Sequence, residues 1–237
     1  MKLQKETGRS DATTERQPRP HGRWYGDACG AAFAMELIGE RWSLPIIREM
    51  MLGPRRFGEI RAELPGLSAK TLTERLESLE STGIVRRDSL PPPASVHVYA
   101  LTDWGLALEP VMQELGRWAV RSTLHDPSLP ITPVSLMLSM RTMIVPDRIG
   151  ELALTAGFDV GRARFFARLA EGELTIRPAR ENDPAPDLHF SAEAGFPYLA
   201  AFYGKFPAAD VGLAIEGDAE LAQRFMALFS LPPKCAP

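Results

Sequence analysis

The sequence predicts an α+β fold in two domains: an N-terminal winged helix-turn-helix domain, made of helices with a β-hairpin, and a C-terminal α/β domain. Three observations carry this. Between Gly53 and Arg87 two short amphipathic helical runs flank Leu64-Pro65-Gly66-Leu67-Ser68 and lead into a strand. A Pro-rich stretch, His125-Asp126-Pro127 to Thr132-Pro133, then divides the chain. Beyond it Lys and Arg thin out, Ala, Gly and Phe rise, and short β-like runs alternate with apolar helical ones. A chain of 237 residues is long enough for two small domains, each burying its own core.

The second helix of the first pair is predicted over 69–82. Ser68 precedes it as an N-cap, because a short hydroxyl side chain accepts an otherwise unpaired first-turn amide. Leu72, Leu76 and Leu79 recur at i, i+4 and i+7, one apolar stripe of a 3.6-residue period. Lys70, Thr71, Glu74 and Ser78 lie roughly opposite, with Thr73 and Arg75 on the flanks. Gly83 stops the helix and Ile84-Val85 begin a strand. Strands over 85–89 and 96–101 enclose the Pro-rich tip Leu90-Pro91-Pro92-Pro93-Ala94-Ser95 and form a hairpin. Helix, turn, helix, strand, hairpin tip and strand, in that order, are the elements of the winged motif. A charged outer helix face is by itself ordinary; the order of elements is what gives it meaning.

Upstream, residues 1–23 are polar and aperiodic, and read as a disordered tail. A helix is predicted over 27–38, with Cys29 near its N-terminal end, where aligned backbone amides lower a thiol pKa. Ser43 is placed as the cap of the next helix, running to about 52, with Pro45 in its first turn. Arg55 and Arg56 stand before the helix over 57–63, well placed for phosphates. A helix over 103–122, capped by Thr102, has a broad apolar face (Leu106, Leu108, Val111, Leu115, Trp118) and an internal Pro110 that should kink it. A face this wide calls for a partner surface.

Gly53-Pro54-Arg55-Arg56-Phe57, Glu59-Ile60, Leu64 to Ser68, Leu72-Thr73-x-Arg75-Leu76 and Leu79-Glu80 resemble the HxlR branch of the MarR-type bacterial regulators. The resemblance reaches back to Cys29 and Ile38-Gly39-Glu40-Arg41-Trp42, and forward to Tyr99-Ala100-Leu101-Thr102-x-x-Gly105, about residues 25–122. It implies sequence-specific binding of a double-stranded DNA operator by a homodimer, through helices near 27–38 and 103–122. It also implies a cysteine at the position of Cys29 that senses oxidants in some relatives. The DNA-facing candidates are Arg55, Arg56, Ser68, Lys70, Thr71, Thr73 and Arg75, with Arg86, Arg87 and His97 on the wing. The family often has an arginine near the wing tip; this chain has prolines there.

Composition narrows the function classes. A net charge of −3 argues against a polycation that coats nucleic acid non-specifically, and leaves room for a locally basic face. Four histidines and two cysteines are too few and too scattered for a metal framework. Neither a phosphate-binding glycine loop nor a Gly-x-Ser-x-Gly elbow is present, so a non-enzymatic chain without cofactor is expected. No run is long and apolar enough to span a membrane and the N-terminus lacks a secretory core, so a cytoplasmic location is the simplest expectation.

The domain divisions are therefore 1–23, 24–123, a linker at 124–133, and 134–233. In the last, helices are predicted over 134–145, 149–156, 193–203 and 219–229, and strands over 162–169, 174–177, 187–191 and 211–216. Glu171-Gly172, Pro186-Asp187-Leu188, Gly204, Ala208-x-x-x-Gly212-x-x-x-x-Gly217-Asp218 and Phe225-x-x-x-Phe229 resemble the sterol-carrier-protein type 2 fold. That resemblance implies an α/β sandwich with an apolar tunnel for lipids. Candidate lining residues are Phe166, Leu174, Ile176, Phe190, Phe196, Leu199, Phe202, Tyr203, Leu213, Ile215, Phe225 and Phe229. Tyr203, Arg164, Arg168 and Arg177 are candidate polar anchors. Aromatic stripes of this kind more often fill a core than line a cavity.

Three functional readings follow. The first is a repressor released by an apolar small molecule in the C-terminal domain. The second is a thiol switch through Cys29, and the third a lipid-binding or transfer protein.

Overall fold

The computed structural model describes residues 25–89 and 96–235. The tail at 1–23 and the hairpin tip at 90–95 lie outside the described residues.

The N-terminal part begins with α1 (Gly30–Ile38) and α2 (Ser43–Glu49). Ser43 is not the cap expected of it. It is the first residue inside α2 and is buried, because its amide already closes a tight turn onto the Glu40 carbonyl (3.0 Å). Trp42 takes the cap position with a left-handed backbone (φ 80), and the Arg41 guanidinium lies 5.4 Å from its ring centroid. Next come α3 (Phe57–Glu63) and α4 (Ala69–Ser81), then β1 (Val85–Ser89) paired antiparallel with β2 (His97–Leu101). Arg55 exchanges both backbone hydrogen bonds with Tyr99 (2.9 and 2.8 Å), so the approach to α3 forms a third rung on the hairpin. Ile46, Ile47, Ile60, Leu72, Leu76 and Leu79 close the core beneath.

The helix expected over 103–122 is split into α5 (Asp103–Leu106) and α6 (Glu109–Ala119). Pro110 sits in the first turn of α6. Its ring leaves no room for the carbonyl four residues earlier, so the break falls just before it rather than at it. Gly105 packs against the hairpin base, where a Cβ would come 2.2 Å from the Ile84 carbonyl oxygen.

The C-terminal part holds α7 (Pro133–Met143), then β3 (Leu154–Val160), β4 (Ala163–Ala170), β5 (Glu173–Pro178), β6 (Leu188–Ala192), α8 (Phe196–Phe202), β7 (Ala214–Gly217) and α9 (Ala219–Ala227). The five strands form one sheet in the order β5-β4-β3-β6-β7, antiparallel except for β3 beside β6. The helix expected over 149–156 is absent. A 3₁₀ turn at Pro146–Arg148 leads into β3, the middle strand of the sheet. Leu154, Ala156, Phe158 and Val160 alternate inward there, a period-two pattern that the small Ala156 and Gly157 obscure in sequence. The strand expected over 211–216 is shorter, since Val211 ends a second 3₁₀ turn.

The two parts share one continuous apolar core running from Ile38 to Phe229. Helix α7 lies at the junction and is buried on most of its faces, including Val134, Leu136, Met137, Leu138 and Met140. The connection at 124–133 is bonded to both sides. Thr132 caps α7 and its hydroxyl donates to Glu49 Oε1 of α2 (2.8 Å). An Arg141–Glu109 ion pair (3.0 Å) and the Arg117 Nε bond to the Thr142 carbonyl (3.0 Å) join α7 to α6. At the C-terminus, Lys234 Nζ donates to the carbonyls of Val120 and Ser122 (2.9 Å each) just beyond α6.

Candidate nucleic-acid interface

The local sequence presents one side of α4 outward. Ser68 caps it, accepting the Thr71 amide at 3.0 Å, and the three leucines are buried on the opposite side. Lys70, Thr73 and Ser68 are exposed at its N-terminal end, with Thr71 half-buried and its hydroxyl 2.8 Å from that of Ser68. Thr73 Oγ1 donates to the Ala69 carbonyl (3.0 Å). Lys70 stands 3.9 Å from Glu74, a pair too exposed to hold the lysine in place.

The flanking cations divide into free and engaged. Arg56 is exposed and its amide is taken by Glu59 (2.8 Å), which fixes the start of α3. Arg86 and Arg87 are exposed on β1. Arg86 pairs with Asp88 (2.8 Å) and the Arg87 guanidinium lies 5.9 Å from the Tyr99 ring centroid. His97 is exposed, with Nδ1 3.1 Å from the Ser89 hydroxyl. Arg55 is half-buried and its Nε donates to the Glu49 carbonyl (3.3 Å). Arg75 differs most from the outward placement expected of it. Its side chain turns inward and pairs with Glu40 (3.2 Å), with Nε buried. Its position on the flank of the leucine stripe brings it to the α1–α2 turn, so it braces α4 rather than facing outward. The Ile38 to Trp42 run thereby acquires a structural role.

Cys29 is the N-cap of α1 and is exposed. No cap hydrogen bond to its sulfur is formed, but the nearby backbone amides of Ala32 and Ala31 in the first turn hold its thiol pKa below the ordinary value. A second exposed free thiol, Cys235, lies at the other end of the described chain, its amide bonded to the Arg121 carbonyl (2.8 Å).

A solvent-exposed apolar face lies on α1, α5 and α6. Phe33, Met35, Trp104, Leu106, Val111 and Leu115 are all substantially exposed, and Trp118 is 75% exposed. No residue of α6 is buried in the single chain.

The expected lipid lining is reorganised. Phe190, Phe202, Phe225 and Phe229 pack on one another and on Phe158, with ring centroids 5.2–6.4 Å apart. They fill the core. Leu174, Ile176 and Leu213 are buried with them, and Leu199 and Tyr203 pack at the edge. Phe166 is on the opposite face of the sheet, where the Arg177 guanidinium lies 5.0 Å from its ring centroid; Phe165 is the inward neighbour. Strand alternation puts Arg164 and Arg168 on that outer face too, away from any interior cavity. Phe196 is half-exposed at the start of α8. Tyr203 does reach inside, its hydroxyl 2.9 Å from Ser139 Oγ. Of the twelve residues only Ile215 borders a groove of about 970 Å³ between the second 3₁₀ turn, β7 and α9. Phe206, Ala208 and Met226 line it, and Arg148 and Lys205 stand at its edge. Aromatic spacing gives no sign of this groove, because alanine and glycine make half of its wall.

Among the described residues no group of His, Cys, Asp and Glu is arranged to hold a metal, and no helix is long and apolar enough to cross a membrane.

A family model described as HxlR-like helix-turn-helix matches residues 37–126. YvaP of Bacillus subtilis, an uncharacterized HTH-type transcriptional regulator, is 42% identical over 86 residues, covering 36% of this chain and 80% of YvaP. The HTH-type transcriptional regulator YodB of the same organism is 45% identical over 86 residues, covering 36% of this chain and 77% of YodB. The reduced form of YodB superposes with a TM-score of 0.39 at 40% identity, over 42% of this chain and all of that one. The family match ends at residue 126, short of α7 and the five-stranded sheet. Carried by these N-terminal residues, the membership is plain: this chain belongs to the HxlR family of winged helix-turn-helix transcriptional regulators, which bind DNA and are generally dimeric.

Proposed function

We propose that the protein is a cytoplasmic homodimeric repressor in which α4 enters the major groove of a pseudo-palindromic operator. The observation that carries this is the two-sidedness of α4. Its leucines are sunk in the core while Ser68, Lys70 and Thr73 are exposed to solvent at its N-terminal end. Arg56 and the wing residues Arg86 and Arg87 supply cations for the backbone on either side. The exposed apolar residues Met35, Trp104, Leu106, Val111, Leu115 and Trp118 of α1, α5 and α6 pair with a second copy, which sets the two reading helices about 34 Å apart, one turn of duplex.

The C-terminal body is read as a sterol-carrier-like module that receives an apolar effector. The roughly 970 Å³ groove beside α9, not the aromatic core, is the place for it. Its occupant acts on DNA only through a difference in affinity for the two states of the dimer. Genomic footprinting with the purified protein, followed by gel-shift titration of the recovered site, tests the reading. Discrete protected sites lost on Lys70→Ala plus Thr73→Ala support it, and uniform binding to all DNA refutes it.

Cys29 favours a second reading, a thiol switch. An exposed thiol at a helix N-cap, near two first-turn amides, is ionised at lower pH than an ordinary cysteine. The similar YodB has been crystallised in quinone-bound and diamide-treated forms. On this reading, alkylation of Cys29 has its midpoint below that of a free cysteine, and Cys29→Ser abolishes any diamide effect on operator binding. A diamide response that survives the substitution removes it.

A further inference from the structure

The chain carries a net charge of −3, yet no acidic residue lines the groove beside α9. The charged residues in its wall are both cations. Arg148 comes from the 3₁₀ turn before β3, and Lys205 from the segment after α8. Arg148 Nη1 donates to the Ala227 carbonyl (3.0 Å). Lys205 Nζ donates to the carbonyls of Phe202 (2.7 Å), Met226 and Phe229 (2.8 Å each). Among the described residues these carbonyls are their only hydrogen-bond partners, and neither cation joins an ion pair. Asp147 and Asp210, on the same two segments, line no part of the groove.

Carbonyls satisfy the donors without cancelling their charge. The C-terminal ends of α8 and α9 offer roughly half a negative charge each, so about one positive charge is left over. The two cations also feel one another. Burial, and after it the Arg148 charge, lower the pKa of the Lys205 ammonium from its ordinary value.

What each cation can offer differs. The three N–H groups of Lys205 are all spent, so it supplies charge alone. Arg148 is exposed and has spent one donor, on Ala227, itself a residue of the groove wall. Its guanidinium is thereby held at the α9 side of the groove with donors to spare, in the planar fork that suits a carboxylate. The rest of the wall is apolar. Phe206 is 59% exposed there, beside Ile215, Met226 and several alanines. The volume, about 970 Å³, is at the upper end of the range for small-molecule sites.

We propose that the groove takes a monocarboxylate with an apolar body, the carboxylate on the spare N–H groups of Arg148 beside the Lys205 charge and the body along Phe206, Ile215 and Met226. This rests on the reading of the groove as the effector site and gives the effector its chemical class.

The test uses full-length protein with methyl-¹³C methionine, titrated with decanoate, decan-1-ol and decyltrimethylammonium, which share a tail and differ in the head. Decanoate is expected to shift the Met226 methyl saturably and to bind at least about tenfold tighter than the alcohol, with the ammonium weakest. Arg148→Gln, at an exposed position, should bring decanoate down to the affinity of the alcohol and leave the alcohol unchanged. Gln223→Glu is a near-isosteric change at an exposed wall position of α9 and puts a carboxylate into the groove. It should weaken decanoate alone, and it decides the matter if Arg148→Gln fails to fold. Equal binding of decanoate and the alcohol at Met226 would overturn the carboxylate and leave the groove standing as an apolar site. No shift at Met226 with any of the three would remove the groove reading, and the carboxylate with it. A preference for decanoate that survives in both folded variants would also overturn the proposal.

Discussion

The winged domain and the C-terminal body solve opposite problems with the same raw material. In the first, a stripe of three leucines anchors α4 so that its other side is free, and the candidate function sits on an outward surface. In the second, aromatic residues draw the helices α8 and α9 onto the sheet, and any ligand site must be what that packing leaves empty. A polar side chain at an exposed helix position is informative about surface chemistry. An apolar side chain says only that it avoids water, whether against protein or against a ligand.

The largest effects should come from breaking the aromatic core. Phe190→Ala is expected to cost about 3–5 kcal/mol in urea unfolding. Phe196→Ala, at a half-exposed site, should cost about 0.5 kcal/mol or less. Comparable losses at both would mean that Phe196 is as much a core residue as Phe190. Because one apolar core spans both parts, unfolding of the intact chain should be a single transition by fluorescence and by circular dichroism alike.

Next in size is the hinge between hairpin and α5. Gly105→Ala forces a methyl onto the Ile84 carbonyl and should destabilise by about 1–3 kcal/mol, while the exposed side of α4 is untouched. A melting curve like that of the parent would show that α5 shifts without penalty.

The outward and inward cations of the winged domain should separate cleanly. Arg56→Ala and Lys70→Ala should leave stability unchanged, weaken operator binding, and each lower the salt slope by about one. Arg75→Ala should instead destabilise, and a double-mutant cycle with Glu40→Ala should return a coupling of about 0.5 kcal/mol, small because Glu40 is half-exposed. A normal melting curve with a reduced salt slope for Arg75→Ala would restore it to the DNA face.

The smallest effect concerns the loop between β5 and β6. Arg177 holds the Asp183 carboxyl down to about 2. The folded value lies below the unfolded one of about 3.9, so the contribution is complete above pH 4 and fades as pH falls toward 2. Protection against hydrogen exchange at 179–187, relative to the intrinsic rate at each pH, should fall over that range, and Asp183→Asn should remove the dependence.

Features that depend on neighbours along the chain were legible in the residues alone. The Ser68 cap, the leucine period and the Gly83 stop each act within a few residues, and the structure keeps them. The family follows from the same segment. Long-range packing settled the rest: which face of β4 turns inward, that 149–156 leads into the central strand, that Arg75 serves Glu40, and that Arg148 and Lys205 border one groove. Each of these depends on residues far apart in sequence coming together. Burial is a property of that assembly, so spacing alone cannot tell a filled core from an open one.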